Sequence, residues 1–176
     1  MSSVVFSHMM GTLALLGVMF FLILTFSIVY FVTQMNIQDL RLAEVAESVA
    51  REIVEIASVH TLGGGRLTYM YLTIPQEIYG QGYQVELLNA GSGRLIVRVK
   101  LQTYEEVRVV VVPNFGESNV KALESEITVG DITVSPMLRL PAPLRDVGGV
   151  MVRGKPAVVA VTQGDTIYLG FTIIWG

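Results

Sequence analysis

The sequence predicts an α+β fold: a long N-terminal α-helix, hydrophobic and then amphipathic, followed by an antiparallel, Ig-like β-sandwich. Three observations carry that expectation. Residues 1–38 contain no Asp, Glu, Lys or Arg. Leu42, Ala46, Val49, Ile53 and Ile56 then recur at spacings of 4, 3, 4 and 3, the seam of a coiled coil or helix bundle. From Arg66 the apolar period changes from 3.6 to 2, as in RLIVRVKL (94–101), which marks half-buried strands. The expected organisation is a helix over residues 1–60, a glycine-rich joint over 61–65 and a β domain over 66–176.

The run from Met9 to Met35 exceeds the ~20 residues that cross a hydrocarbon core as a helix. Fourteen of the twenty residues from Leu13 to Val32 are Leu, Ile, Phe or Val. At ~0.3–0.6 kcal/mol each, they favour insertion by roughly 4–8 kcal/mol. A cleaved secretory signal fits poorly. No Lys or Arg precedes the run, its length exceeds the ~7–15 residues of a signal core, and no A-x-A site follows it. The same lack of flanking bases leaves orientation unset by the positive-inside rule; the C-terminal part is expected outside the cytoplasm.

No Pro or Gly interrupts residues 20–50, so the helix is expected to pass the lipid boundary without a break. Gly63-Gly64-Gly65 then ends it. Leu13, Leu16, Phe20, Leu24, Ile28 and Phe31 in the apolar half are candidate helix–helix assembly residues, as are Leu42, Ala46, Val49, Ile53 and Ile56 in the amphipathic half. The second set has two available covers, the chain's own strands or neighbouring copies. Its regularity, on a helix expected to run well beyond the lipid, favours neighbouring copies.

The expected strands are LTYMYLTI (67–74), GYQVELLN (82–89), RLIVRVKL (94–101) and YEEVRVVVV (104–112), the last three forming a meander. SEITVGDITVS (125–135), GVMVRG (149–154), AVVAVT (157–162) and DTIYLGFTIIW (165–175) complete the set. Short strands with turn signals every ~8–12 residues point to a sandwich. Ile173 and Ile174 make the last strand apolar on both faces, so it is expected to be central or covered. LRLPAPLRDVGG (138–149) reads as a loop, where its prolines cost no ladder bonds.

The net charge of −3 lies wholly in the second half of the helix. Asp39 to Glu55 carries five acids and two bases, whereas His60 onward carries ten of each. A neutral β domain lacks the repulsion that keeps copies apart, and no basic stripe invites nucleic acid. Cysteine is absent, which excludes disulfides and thiolate chemistry. His8 and His60 are too far apart to make a ligand pair or a triad. The glycines at 63–65 precede a strand rather than a helix, so they are no phosphate cradle. Glu105 and Glu106 fall on opposite sheet faces. Asp131 and Asp165 stand beside glycine and Asp146 two residues before one, and all three read as turn residues. Tyr69, Tyr71, Tyr79 and Tyr83 read as covers for sheet edges and faces. No catalytic, cofactor-binding or metal-binding residues emerge, and the expectation is a protein that is not an enzyme.

This layout resembles the archaeal type IV pilin and archaellin superfamily, including the archaellum accessory proteins that share its N-terminal helix. The opening SSVVFSHMMGTLALLGV (2–18) looks like the start of such subunits. YLTIPQEIYGQGYQVELL (71–88) is similar to the I-P-x-x-I-x-G-x-x-Y-x-V-x-L strand pair of archaeal pilin-like surface proteins. The resemblance implies a homopolymeric filament with the helices as its core and the β domain outside, serving adhesion or motility. Its partners would be identical subunits, the cytoplasmic membrane before assembly, an ATP-driven pilus assembly machinery, and an S-layer or other surfaces. The alternative within the resemblance is a stator-like accessory protein, anchored by one span and gripping an envelope component. One departure stands out: Gly11 follows His8-Met9-Met10, without the basic residue that precedes a prepilin-peptidase site. The glutamate that bacterial pilins hold near the mature N-terminus is missing as well.

Overall fold

A computed structural model of the chain describes residues 2–63, 65–91, 94–102, 107–111 and 119–175. One α-helix, α1, runs without interruption over Ser2–Gly63. Helix formers dominate its second half, and it stops at the first of the three glycines, whose backbone freedom makes continued helix costly. The chain divides into two compact units, Met1–Asp39 and Leu40–Gly176. That boundary lies well before the glycine joint expected from sequence, because the amphipathic half of α1 belongs to the strands' own core.

The strands are β1 (Leu67–Tyr71), β2 (Tyr83–Asn89), β3 (Leu95–Leu101), β4 (Val107–Val111), β5 (Val120–Ala122), β6 (Ile127–Val129), β7 (Ile132–Val134), β8 (Met137–Leu140), β9 (Leu144–Val147), β10 (Val150–Arg153), β11 (Lys155–Gln163) and β12 (Thr166–Ile174). They form two four-stranded sheets, ordered β1-β11-β12-β5 and β4-β3-β2-β8, and two hairpin sheets, β6-β7 and β9-β10. Pairing among the described strands is antiparallel except between β12 and β5, which run parallel. The expected meander is present as β2-β3-β4. The last strand, β12, is internal to its sheet, as its two apolar faces require.

Two expectations need correction, and one strand had no counterpart among them. SEITVGDITVS is not one strand: Gly130, at φ 62°, and Asp131 fold it into the β6–β7 hairpin. The supposed loop LRLPAPLRDVGG contains β8 and β9; its prolines at 141 and 143 sit between those strands and remove no ladder donor from either. The three-residue β5 is too short to show a period. The expected strand residues 104–106 and 112 lie outside the described residues.

The largest correction concerns α1. Leu42, Ala46, Val49, Ile53 and Ile56 share one apolar cluster with Val85, Val97 and Val99 of one sheet and with Val158, Leu169 and Phe171 of the other. The stripe is therefore covered by the chain's own strands, not by neighbouring copies. Periodicity shows that a helix face is buried but not by what. On the other side of β11 and β12, Leu123, Val134, Val159 and Val161 form a smaller cluster under the β6–β7 hairpin.

Gly170 is where that hairpin approaches β12. A Cβ there would stand 2.7 Å from Val134 Cγ1, 2.8 Å from Leu123 Cδ1 and 3.0 Å from the Ser135 carbonyl oxygen. Gly170→Ala is expected to cost about 1–3 kcal/mol through overpacking, read as a lower urea midpoint with an unchanged slope.

Candidate functional site

The surface that stands out chemically is the apolar half of α1. Every described side chain from Phe6 to Thr33 is exposed within the chain. Leu13, Leu16, Phe20, Leu24, Ile28 and Phe31 are all uncovered, Phe20 at 68%. Monomers in water rarely leave so large an apolar surface open. Four of its hydroxyls are already satisfied. The hydroxyls of Thr12, Thr25, Ser27 and Thr33 donate to the carbonyls of His8, Phe21, Ile23 and Val29 at 2.7, 2.9, 2.8 and 2.8 Å. A hydrocarbon environment would thus face no orphaned side-chain donor on these residues. By length and composition this is a helix able to cross a membrane, and no other described helix qualifies.

The five sequence-predicted residues of the amphipathic half do not join this surface. They sit in the core of the second unit, where two polar side chains on the same helix add specific ties. The Glu52 carboxylate accepts the Thr73 backbone N–H at 3.1 Å. His60, only 2% exposed, holds the Thr68 hydroxyl at 2.8 Å through Nδ1 and the Thr162 hydroxyl at 2.6 Å through Nε2. A third tie lies among the strands, where the buried Tyr83 hydroxyl donates to the Pro75 carbonyl, its pKa pushed well up by burial. Sequence reasoning missed His60 as a core member. Extending the stripe one step beyond Ile56, by four residues, lands on it.

Burial lowers the His60 pKa from its ordinary 6.5 and raises that of Glu52 above its ordinary 4.5. The unfolded chain therefore binds protons at histidine more readily than the folded one. His60's contribution is complete above pH ~6.5 and falls as pH drops below it. Glu52 acts oppositely, its contribution falling as pH rises above ~4.5. The two dependences have opposite signs, so between pH ~4.5 and ~6.5 each offsets part of the other. His60→Gln should remove the loss that sets in as pH falls below ~6.5, and Glu52→Gln the loss that sets in as pH rises above ~4.5, measured as urea midpoint against pH.

Among the described residues of the second unit, two clefts stand out. One of about 820 Å³ is lined by Glu126, Asp131, Arg139, Arg145, Thr172 and Trp175 among others. Arg145 lies over the Trp175 ring at 6.0 Å, and the Thr172 hydroxyl donates to the Thr133 carbonyl at 2.7 Å. The other, of about 580 Å³, includes Arg41, Glu44, Thr73, Pro75 and Tyr79, with Arg41 paired to Glu44 at 2.7 Å. Neither cleft is lined by a histidine. Among the described residues, no group of three or more His, Asp or Glu stands close enough to hold a metal ion. Asp131 and Asp165 lie in two-residue turns of β6–β7 and β11–β12. Asp146 accepts the Gly149 N–H at 2.7 Å in the turn of β9–β10.

These features describe a chain with one helix long and apolar enough to cross a membrane, the second half of which is the core of a β-rich unit. No protein-family model, no curated protein and no solved structure matches it.

Proposed function

We propose that this chain is a structural subunit of an extracellular, type IV pilus-like filament, without enzymatic activity or cofactors. The apolar half of α1 resides in the cytoplasmic membrane before assembly and packs against identical helices afterwards. The β-rich unit then lies outside, where it serves adhesion or motility and meets an S-layer or other surfaces. In this reading the two four-stranded sheets are the halves of an Ig-like sandwich, with the amphipathic half of α1 completing their core.

The observation that carries the proposal is the apolar helix surface itself, uncharged and uncovered from Phe6 to Thr33. Lipid satisfies that surface as well as protein does, so transfer into a filament must rest on close packing between helices and on an assembly machinery. Gly11 and Gly17 suit close packing, since a Cβ at either would meet nothing within 4 Å. A neighbouring backbone has room to approach there.

One observation favours a second reading, a single-pass, stator-like anchor that grips an envelope component. The stripe from Leu42 to Ile56 is already covered inside the chain, so nothing in it calls for a neighbouring copy. Negative-stain imaging of the purified full-length chain separates the two. Uniform fibres that persist when detergent is removed are expected. Monomers that stay dispersed only in detergent would replace the filament reading with the anchor.

A further inference from the structure

The β9–β10 hairpin is a two-stranded sheet of its own. Leu144, Val147, Val150 and Met151 are all exposed on it, Val150 at 63% and Met151 at 61%. Two strands alone are marginally stable in water and gain from further strands or a packed face. The sequence of β10, Val-Met-Val-Arg, carries no proline or lysine, and its register with β9 shows no bulge. Of the devices that usually blunt an exposed edge, proline, lysine and a bulge are missing; the strand has only its four-residue length and the charge of Arg153.

Backbone parity decides how another strand can join. Val147 pairs with Val150 across the Gly148-Gly149 turn, and the Gly154 N–H donates to the Pro143 carbonyl at 3.2 Å. Alternate residues of an antiparallel pair turn their groups toward the partner strand. On β10, Val150 and Val152 therefore face β9 with their backbone groups, while Met151 and Arg153 direct theirs outward.

We propose that β10 pairs antiparallel with β10 of a second copy of this chain, about a two-fold axis at Val152. In that register Met151 exchanges hydrogen bonds with Arg153 of the second copy, and Arg153 does so with Met151 of the second copy. Val152 meets Val152 of the second copy as a close, non-hydrogen-bonded pair. An axis at Met151 is poorer. It sets Arg153 opposite Gly149, whose φ of 87° turns it out of the strand.

Side chains agree with the first register. Val147, Val150 and Val152 share one face with Arg145, whose guanidinium lies over the Trp175 ring, so both copies contribute three valines to one patch with that arginine beside it. On the other face, Asp146, Met151 and Arg153 of the second copy fall in one row, which brings opposite charges within reach. Net charge does not oppose the contact, because residues from His60 onward carry ten acids and ten bases. The hairpin belongs to the unit Leu40–Gly176 and the apolar half of α1 to the other unit. It therefore adds a side-by-side contact between subunits to the filament reading without depending on it.

The chain has no cysteine, so single substitutions report the register. In detergent-solubilised full-length chain, Val152→Cys is expected to form a disulfide dimer at least about tenfold faster than Met151→Cys. Only the Val152 pair brings Cα atoms to the ~4.5 Å of a close antiparallel pair, within disulfide range. Met151→Pro in the Val152→Cys background removes an outward N–H that β9 does not use, and should abolish the cross-link. Equal rates for the two cysteine variants would overturn the pairing. So would a dimer that survives Met151→Pro, or rapid cross-linking of mixed Val150→Cys and Val152→Cys chains with none for Val152→Cys alone.

Discussion

Val49→Asp is expected to unfold the unit Leu40–Gly176. Val49 has no solvent exposure, and Leu42, Ala46 and Ile53 on the same helix face have none either. A carboxylate placed there loses its hydration and gains no partner, a penalty of several kcal/mol even after relaxation. The total stability of an ordinary domain is only about 5–15 kcal/mol. Lost valine packing adds to the deficit. The cooperative melt should disappear, and proteolysis should reach β2, β3, β11 and β12 together. Val49→Ala, which removes volume without adding charge, should cost roughly 1–3 kcal/mol and leave a folded protein with a lower Tm. A seam between copies would behave differently: Val49→Asp would then block association and leave each monomer's melt intact. Near-ultraviolet circular dichroism and thermal melting in detergent distinguish the two.

The second large effect concerns the other half of α1. Leu16→Arg combined with Leu24→Arg is expected to remove the chain from the membrane. Each arginine costs about 2.5–3.5 kcal/mol near the centre of a span, and each lost leucine about 0.3–0.6 kcal/mol more. The pair therefore costs roughly 6–8 kcal/mol, comparable with the roughly 4–8 kcal/mol that the apolar run supplies. Alkaline extraction of membranes should release the double variant and retain Leu16→Ala/Leu24→Ala. The unit Leu40–Gly176 should melt as in the unmodified chain, because neither position contributes to its core.

These contrasting effects on one helix show what was legible in the sequence. The apolar run declared its own environment, since uncharged residues on every face admit only lipid or other apolar helices. The stripe from Leu42 to Ile56 declared burial but not its cover, because a coiled-coil seam and an internal core face present the same spacing. Strands with clear alternation, β2, β3 and β12, were legible, and so was the continuous apolar run of β11. The short pieces were not: β5 has three residues, and β6 and β7 have three each, too few for the phase shift from Ile127 and Val129 to Ile132 and Val134 to declare the turn between them. The β9 strand was hidden by flanking prolines and by a surface role, since all four of its residues are exposed. His60 was hidden by its type. A histidine at the end of a stripe reads as solvent-facing until two threonines from distant strands close around it.

The most direct test of the division within α1 compares two fragments, residues 40–176 and residues 66–176, by thermal melting in buffer without detergent. The longer one keeps the helical stripe that completes the core and should be soluble, with a single cooperative transition. The shorter one exposes the sheet faces that Leu42, Val49 and Ile53 cover and should show no cooperative transition. If residues 66–176 melted at the same temperature as residues 40–176, the strands would be a self-sufficient domain, and the amphipathic half of α1 would not be part of the core that holds them together.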